Sequence, residues 1–271
     1  MKKFMLLLIA AFMISVLAAC GTSESEGSNG DSGNSGDGGS GEETPTYTVA
    51  TDANFKPFEY KNPDTGEMVG FDIELLRAIA EDQGFKVEFQ TMQFDGLLAS
   101  MRSGKHDIGI AGISITEERK EFIDFSDSYY DSGLILAVPQ DSDIESIEDV
   151  SGKNVGARQG STSESYLQDN TDAEITAYPE IVTAYMNLER GRLDAVLYDL
   201  PNVQFYIKEQ ASDSLKTVGD VLEGQPYGIA MPKDSNPELL ESINKGLANV
   251  KENGTYAEIY EKWFGEAPPK E

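Results

Sequence analysis

The 271-residue chain carries 48 acidic against 21 basic side chains, a formal charge of −27 at pH 7. Such a balance argues against nucleic acid or anionic lipid as a partner of the folded body. One cysteine, Cys20, leaves no disulfide framework and no thiolate metal cluster, and 39% hydrophobic residues over this length suffice for one large domain or two modest lobes.

Lys2 and Lys3 precede an apolar run from Phe4 to Ala19, ending in Leu17-Ala18-Ala19-Cys20. A basic start, an apolar middle and small residues at the end make residues 1–19 a signal peptide for export. As a helix the run spans roughly 24 Å at about 1.5 Å per residue, short of a hydrocarbon core of about 30 Å, so a lasting span is the weaker reading. LAAC resembles the lipobox of bacterial lipoproteins, and the resemblance implies a mature protein that begins at a diacylglycerol-modified Cys20 and is held to the membrane by that lipid. Gly21 to Thr46 has no apolar side chain except Pro45, so residues 20–46 are expected to form a disordered linker with a reach of roughly 25 to 30 Å. Gly36 to Gly41 fits GxGxxG by chance, since no strand precedes it and no helix follows.

From Tyr47 onward, apolar runs alternate with helical patterns. Tyr47 to Thr51 reads as a strand. Phe71 to Gln83 reads as a helix with Ile73, Leu76 and Ala80 on one face and Gly84 as its stop. Lys86 to Gln90, Gly96 to Ser103 and Asp107 to Ala111 continue as strand, helix and strand, and β-α-β-α-β implies a parallel sheet with helices on its faces. A second series has strands at Leu134 to Val138, Asn154 to Ala157, Glu174 to Ala177 and Leu193 to Tyr198. Its helices are Ser163 to Asp169, one from Pro179 to Arg190, and one opened by Pro201 and running to Glu209. Tyr227 to Met231 reads as a last strand, and helices at Pro237 to Glu252 and Thr255 to Trp263 form the tail.

Chemistry-bearing residues collect at strand ends. Thr116 is a fitting N-cap for a helix through Glu117, Glu118 and Arg119, which puts a guanidinium where backbone N–H groups already favour anions. A guanidinium there offers a forked donor pair to a carboxylate. Arg158 ends another strand ahead of the small polar turn Gln159 to Ser163, and Asp199 ends a third, either as an ammonium partner or as a cap for the next helix. Asp52, Phe55 and Phe94 also follow strands, the two rings being pocket or core. The lone His106 precedes a strand at the opposite end and reads as a surface residue. Asp124, Asp127 and Asp131 lack the spacing of a calcium loop, so no metal and no cofactor is expected.

ATDANFKPFEYKN, VGFDIELLRAIA, AGISITEERKEFIDFSDSYY, AVLYDLPN and ENGTYAEIYEKWFG together resemble the periplasmic binding proteins for polar amino acids (family 3), closest to the glutamine-binding ones of ABC importers. The resemblance runs from Thr48 to Gly265. It implies an α/β, two-lobed, type II periplasmic-binding-protein fold with two hinge strands. Lobe 1 would comprise 47–128 and 228–267, lobe 2 134–222, and the hinges 129–133 and 223–227. By the same resemblance Arg119 clamps the ligand carboxylate with backbone N–H groups of Ser114 and Thr162. Asp199, the Gly112 carbonyl and the Ser114 hydroxyl take the ammonium, Phe55 and Phe94 hold the aliphatic stem, and Asp52 with Arg158 faces the side chain. Ala111 and Tyr198 complete the expected site. Arg158 and Tyr198 stand where the glutamine binders usually carry lysine and histidine, which puts the depth of the pocket in question.

The expectation is a monomeric, extracytoplasmic receptor, lipid-anchored at the outer face of the cytoplasmic membrane or in the periplasm, that delivers L-glutamine to an ABC permease. The alternatives are glutamate, arginine, histidine or cystine in the same role, or an enzyme resembling the cyclohexadienyl and arogenate dehydratases. Asp52 and Arg158 could instead simply pair with each other.

Overall fold

The computed structural model describes residues 44–269; the expected export signal, Cys20 and the expected linker as far as residue 43 lie outside them. Among the described residues no helix is long and apolar enough to cross a membrane.

β1 (Thr46–Thr51) opens the fold, and its register begins with Thr46 opposite Lys86. Thr46 therefore belongs to a strand and not to the linker, because ladder pairing uses backbone groups that polar side chains do not impair. β2 (Asn54–Phe55), β3 (Glu59–Lys61) and β4 (Met68–Val69) form a small antiparallel sheet. Strands of two or three residues are too short to show an alternating pattern, so they left no sign in the sequence. α1 (Phe71–Gln83) has the bounds its apolar spacing dictates and ends at Gly84, φ 73°. β5 (Lys86–Thr91), α2 (Phe94–Ser103) and β6 (Ile108–Gly109) follow, with β1 between β5 and β6 and parallel to both. α3 (Glu117–Lys120) is one turn, capped by the Thr116 hydroxyl, which accepts the Arg119 N–H at 3.1 Å. β7 (Ile123–Phe125) completes this stretch.

The second series starts with the long β8 (Tyr130–Pro139), then β9 (Asn154–Arg158), α4 (Thr162–Asn170) and β10 (Glu174–Tyr178). α5 (Ile181–Glu189) starts two residues after Pro179, not on it, since the Tyr178 carbonyl still accepts Gln159 N–H and keeps the chain extended there. β11 (Ala195–Asp199) runs into α6 (Leu200–Tyr206), which passes at Ile207 into a wider π turn, Ile207–Ala211, that carries the helical path past the expected Glu209. β12 (Leu215–Tyr227) escaped the sequence reading, apart from the expected hinge at its end: it contains Gly219, Asp220, Gly224 and Pro226 and is interrupted in register between Val218 and Gln225. Irregularity of that kind is tolerated at a sheet edge, which is where β12 lies. β13 (Ala230–Pro232) is separate, because Gly228 N–H turns to Ile113 O and Ile229 N–H to Ser126 Oγ. α7 (Pro237–Glu252) and α8 (Thr255–Phe264) close the chain and both pack on α1.

Two five-stranded sheets result, in the orders β5-β1-β6-β13-β7 and β10-β9-β11-β8-β12. In each, parallel strands are joined by helices and one strand runs antiparallel to its neighbours, β13 in the first and β8 in the second, the two-lobed type II architecture. The chain crosses between sheets twice, from Phe125 to Tyr130 and from Tyr227 to Ala230. The crossings lie side by side, Tyr227 opposite Tyr130 and Tyr129 N–H on Tyr227 O at 3.0 Å.

The start of α1 is set by one close backbone approach. Gly70 has φ 133°, and a Cβ there would lie 2.0 Å from the Phe58 carbonyl oxygen and 2.9 Å from Glu59 Cα. Main chain cannot yield as a side-chain tip can. Gly70→Ala is therefore expected to cost about 3 kcal/mol, read as a lower urea midpoint at unchanged slope. A wild-type midpoint would contradict this packing.

Candidate functional site

The carboxyl ends of β1, β6, β9 and β11 deliver Asp52, the Ala111–Ser114 turn, Arg158 and Asp199 to the space between the sheets. The first residues of α2 and α4, Phe94 and Thr162, supply a ring and a helix N-terminus. Asp52, Phe55, Phe94, Ala111, Ser114, Arg119, Arg158, Tyr198 and Asp199 are all buried, and Thr162 is half-buried. Two guanidinium and two carboxyl groups taken out of water in one place require mutual compensation.

Arg119 reaches across the interface. Its Nη1 donates to Ser114 O at 2.9 Å within its own lobe, and Nη2 donates to Gly160 O at 3.1 Å, in the turn between β9 and α4. Burial pulls its pKa down to about 10, so it stays charged at neutral pH. Arg158 reaches the other way: it forms an ion pair with Asp52 and donates from Nη1 to the Tyr198 hydroxyl at 3.2 Å. Asp52 is fixed by Asn54 N–H on Oδ1 at 2.9 Å. The Phe94 ring carries both cations, Arg158 at 4.9 Å and Arg119 at 5.4 Å from its centre. Phe55 meets Tyr198 edge-on at 5.8 Å and stacks on Phe58 at 5.1 Å.

Asp199 occupies the cap position of α6 but makes no capping hydrogen bond, so the helix-cap reading is not realised. Burial pushes its pKa up to about 7; the Tyr227 hydroxyl and the two arginines oppose that rise. Gly112, φ 54°, lies under Phe55, where a Cβ would stand 2.4 Å from the ring. Its N–H donates to Asp72 Oδ2 at 2.9 Å. Ala111 has an apolar role, packed with Phe94, Leu97 and Met101. Beside the Arg119 end opens a cavity of about 460 Å³ whose lining includes Asp95, Thr116, Arg119, Gly160, Thr162 and Gln225.

The structure thus brings Asp52, Phe55, Phe94, Arg119, Arg158 and Tyr198 into one contact network, with Gly112, Ser114 and Asp199 at its edge and Thr162 on the adjoining cavity. Sequence reasoning missed Asp72, Gly160, Asn202 and Tyr227. Asn202 donates to Lys56 O at 2.6 Å across the lobes and accepts from Tyr185 OH at 2.8 Å. Its only signal was the strand-ending run YDLPN. His106 is buried and not at the surface: Lys105 and Asp107 point outward while its ring turns in, Nε2 3.1 Å from Gln90 Oε1. It lies at the far end of β6 from the site.

Residues 47–266 match the model of the bacterial extracellular solute-binding proteins, family 3. The ABC transporter glutamine-binding protein GlnH of Bacillus subtilis is 34% identical over 274 residues, 99% of each chain. The arginine-binding extracellular protein ArtP of the same organism is 31% identical over 275 residues, 97% of this chain and 98% of that one. Among solved structures, an ancestral arginine-binding protein bound to glutamine is 45% identical with a TM-score of 0.77, covering 83% of this chain and all of that one. With the family pattern spanning the whole described body, the chain belongs to the bacterial extracellular solute-binding proteins, family 3.

Proposed function

We propose that the protein is the amino-acid receptor of an ABC importer, held outside the cytoplasmic membrane by lipid on Cys20, and that L-glutamine is its preferred ligand. The observation that carries the ligand is the buried pair Asp52–Arg158, contributed by opposite lobes and braced by Tyr198. A carboxamide offers N–H groups to Asp52 and a carbonyl to Arg158. A glutamate side chain would meet Asp52, and an arginine or lysine side chain would meet Arg158, like charges in a desolvated place. The glutamine in the ancestral structure and the glutamine-binding relative agree with this choice. The arginine-binding relative marks the competing one.

In this reading Arg119, with the N–H groups of Ser114 and Thr162, takes the ligand carboxylate. Asp199, the Gly112 carbonyl and the Ser114 hydroxyl take the ammonium, and Phe55 and Phe94 flank the stem. The lobes are 47–128 with 228–267, and 134–222; the segments 129–133 and 223–227 are the hinges. What supports this is the pair of adjacent crossings and the set of contacts that only a closed cleft makes: Arg119 to Gly160, Asp52 to Arg158, Asn202 to Lys56 and Gln93 to Glu180. Closure around a zwitterion gives the permease a shape to distinguish from the open one.

A dehydratase reading has one observation in its favour, a carboxyl in the cleft with a pKa near about 7, Asp199. An ammonium ligand would return that group to its ionised form, which suits binding. Incubation with prephenate or arogenate is expected to yield no product.

Thermal-shift screening of the twenty amino acids is expected to place glutamine first. Arg119→Ala and Asp199→Ala should each abolish calorimetric binding, a loss of at least about a hundredfold; near-wild-type titration of either variant rejects the assigned site. Asp52→Asn removes the charge that repels a second carboxylate, so the preference for glutamine over glutamate should shrink by about tenfold or more in competition titrations.

Binding should also depend on pH through Asp199. Its folded pKa, raised from 3.8 to about 7, means that the ligand-free protein retains a proton there below about 7. An ammonium requires the carboxylate, so binding below that pH must expel the proton. Affinity should fall by up to about tenfold per pH unit below about 7, with proton release, and the contribution of Asp199 to this dependence should level off above it. Calorimetry in buffers of different ionisation enthalpy reads both quantities.

A further inference from the structure

Behind the ammonium end of the site lies a pair of carboxyl groups that the binding reading does not use. Glu59 opens β3 directly opposite Phe55 and is fully buried, yet its carboxyl oxygens meet no N–H group and no hydroxyl. What Glu59 meets is the carboxyl of Asp72, in the first turn of α1. The fold enforces the meeting. Asp72 N–H donates to Phe58 O at 2.9 Å, and the close approach at Gly70 seats the start of α1 against the same turn.

Asp72 is the better placed of the two to be the anion. Its Oδ2 accepts from Gly112 N–H at 2.9 Å and from the Tyr129 hydroxyl at 2.8 Å, while Oδ1 has neither kind of donor. The acids and phenols around Glu59 are Asp72 on α1, Tyr129 ahead of β8, and Tyr198 and Asp199 at the end of β11, and no cationic donor lies within hydrogen-bond reach of its oxygens. Arg119 and Arg158 act on Asp199 instead. Two carboxylates in contact without a cation repel strongly in a desolvated site, whereas one shared proton turns the contact into a charge-assisted hydrogen bond. Since Asp72 already holds two donors, the proton belongs on Glu59.

We propose that Glu59 keeps a buried proton at neutral pH and donates it to Asp72, which thereby fixes both the Gly112 backbone beneath Phe55 and the Tyr129 hydroxyl at the first crossing. Glu59 and Asp72 are then positioning residues that tie the ammonium subsite to a hinge. The inference deepens the amino-acid site proposed above and rests on it for the role of Gly112. Burial, then Asp72, then Asp199 all push the Glu59 pKa well above its ordinary value, and burial raises that of Asp72 to about 6 despite its two donors.

The sign of the pH effect follows. Both groups bind protons more tightly folded than unfolded, so the stability they lend is complete below the ordinary carboxylate range and is lost as pH rises through their folded values. The pair titrates as a unit, and its second proton leaves well above the first. Wild-type protein should therefore lose thermal stability and ligand affinity from neutral toward alkaline pH as Glu59 ionises.

The test is Glu59→Gln, whose amide can donate to Asp72 but cannot ionise. At neutral pH its glutamine affinity should stay within about threefold of wild type, and the alkaline decline in melting temperature and affinity should disappear. An alkaline decline identical to wild type overturns the proposal, because a merely structural role would lower the melting temperature without changing its slope against pH. A variant with native circular dichroism and melting that binds more than about tenfold more weakly at neutral pH also overturns it, since Glu59 would then act as an ion. If the variant does not fold, carboxyl-labelled wild-type protein decides by nuclear magnetic resonance: one glutamate still protonated at neutral pH supports the proposal, and all glutamates ionised refute it. A wild-type protein that bound none of the twenty amino acids would instead defeat the receptor reading, while the pH slope of melting would still judge the proton.

Discussion

A buried guanidinium must find oxygen, and the two at the centre of this molecule find it on opposite lobes. Arg119 leaves the first lobe for the Gly160 carbonyl of the second, and Arg158 leaves the second for Asp52 of the first. Each lobe alone would expose a cation and an unpaired acceptor to a half-wet surface. Together they bury both, with a single phenyl ring between them. The desolvation cost of such ions is several kcal/mol each and is offset only when geometry and hydrogen bonds are complete. In the proposed receptor, closure and recognition would be one event, because the groups that hold the lobes together are the groups a polar ligand would engage.

The two crossings between the sheets are tied to the frame by aromatic contacts. Tyr130 stacks on Tyr227 at 5.7 Å in one direction and on Tyr260 of α8 at 5.9 Å in the other, so both crossings and the tail helix share one aromatic pile. Tyr256 adds a hydrogen bond to the Tyr129 carbonyl at 2.7 Å. The tail therefore does more than cover α1: it braces the two crossings between the sheets. Tyr129 also donates to Asp72, so the same few residues meet the first crossing, the Gly112 turn and the buried acid pair.

Much of this was legible in the sequence, for reasons specific to each element. α1 could be read to the residue because apolar positions recur at helical spacing and Gly84 ends them. Arg119 and Asp199 could be placed just beyond strand ends from the element pattern, but each also had an ordinary structural reading there, and only the family resemblance assigned them roles. β12 was opaque because its glycines, aspartate and proline are breakers that only an edge position tolerates. The β2–β4 sheet was opaque because it is too short to show a period. Glu59 and Asp72 were invisible for a different reason: each looks like an ordinary solvated acid, one in a hairpin and one in the first turn of a helix, and only tertiary contact makes them a pair. His106 was misjudged in the same way, its exposed neighbours concealing a ring that packs on Gln90.

The distribution of charge inside the cleft also shows how a strongly acidic protein could select a ligand with no net charge, as the proposed function requires. Surface acidity raises or lowers encounter rates but acts through solvent, where screening weakens it within about 10 Å. In the proposed receptor, recognition is decided by groups that water does not reach, and these would be matched end by end: Arg119 at the carboxylate, Asp199 at the ammonium, and Asp52 against Arg158 at the side chain. At the ammonium end a third and fourth carboxyl, Glu59 and Asp72, stand close by, and left ionised they would overload that end with negative charge. A proton on Glu59 removes one of those charges, and the Gly112 and Tyr129 donors disperse the other. The site can then be strongly polar at every point without carrying a large net field. A cationic or anionic side chain would break that local balance at Arg158 or Asp52, whereas a carboxamide satisfies both.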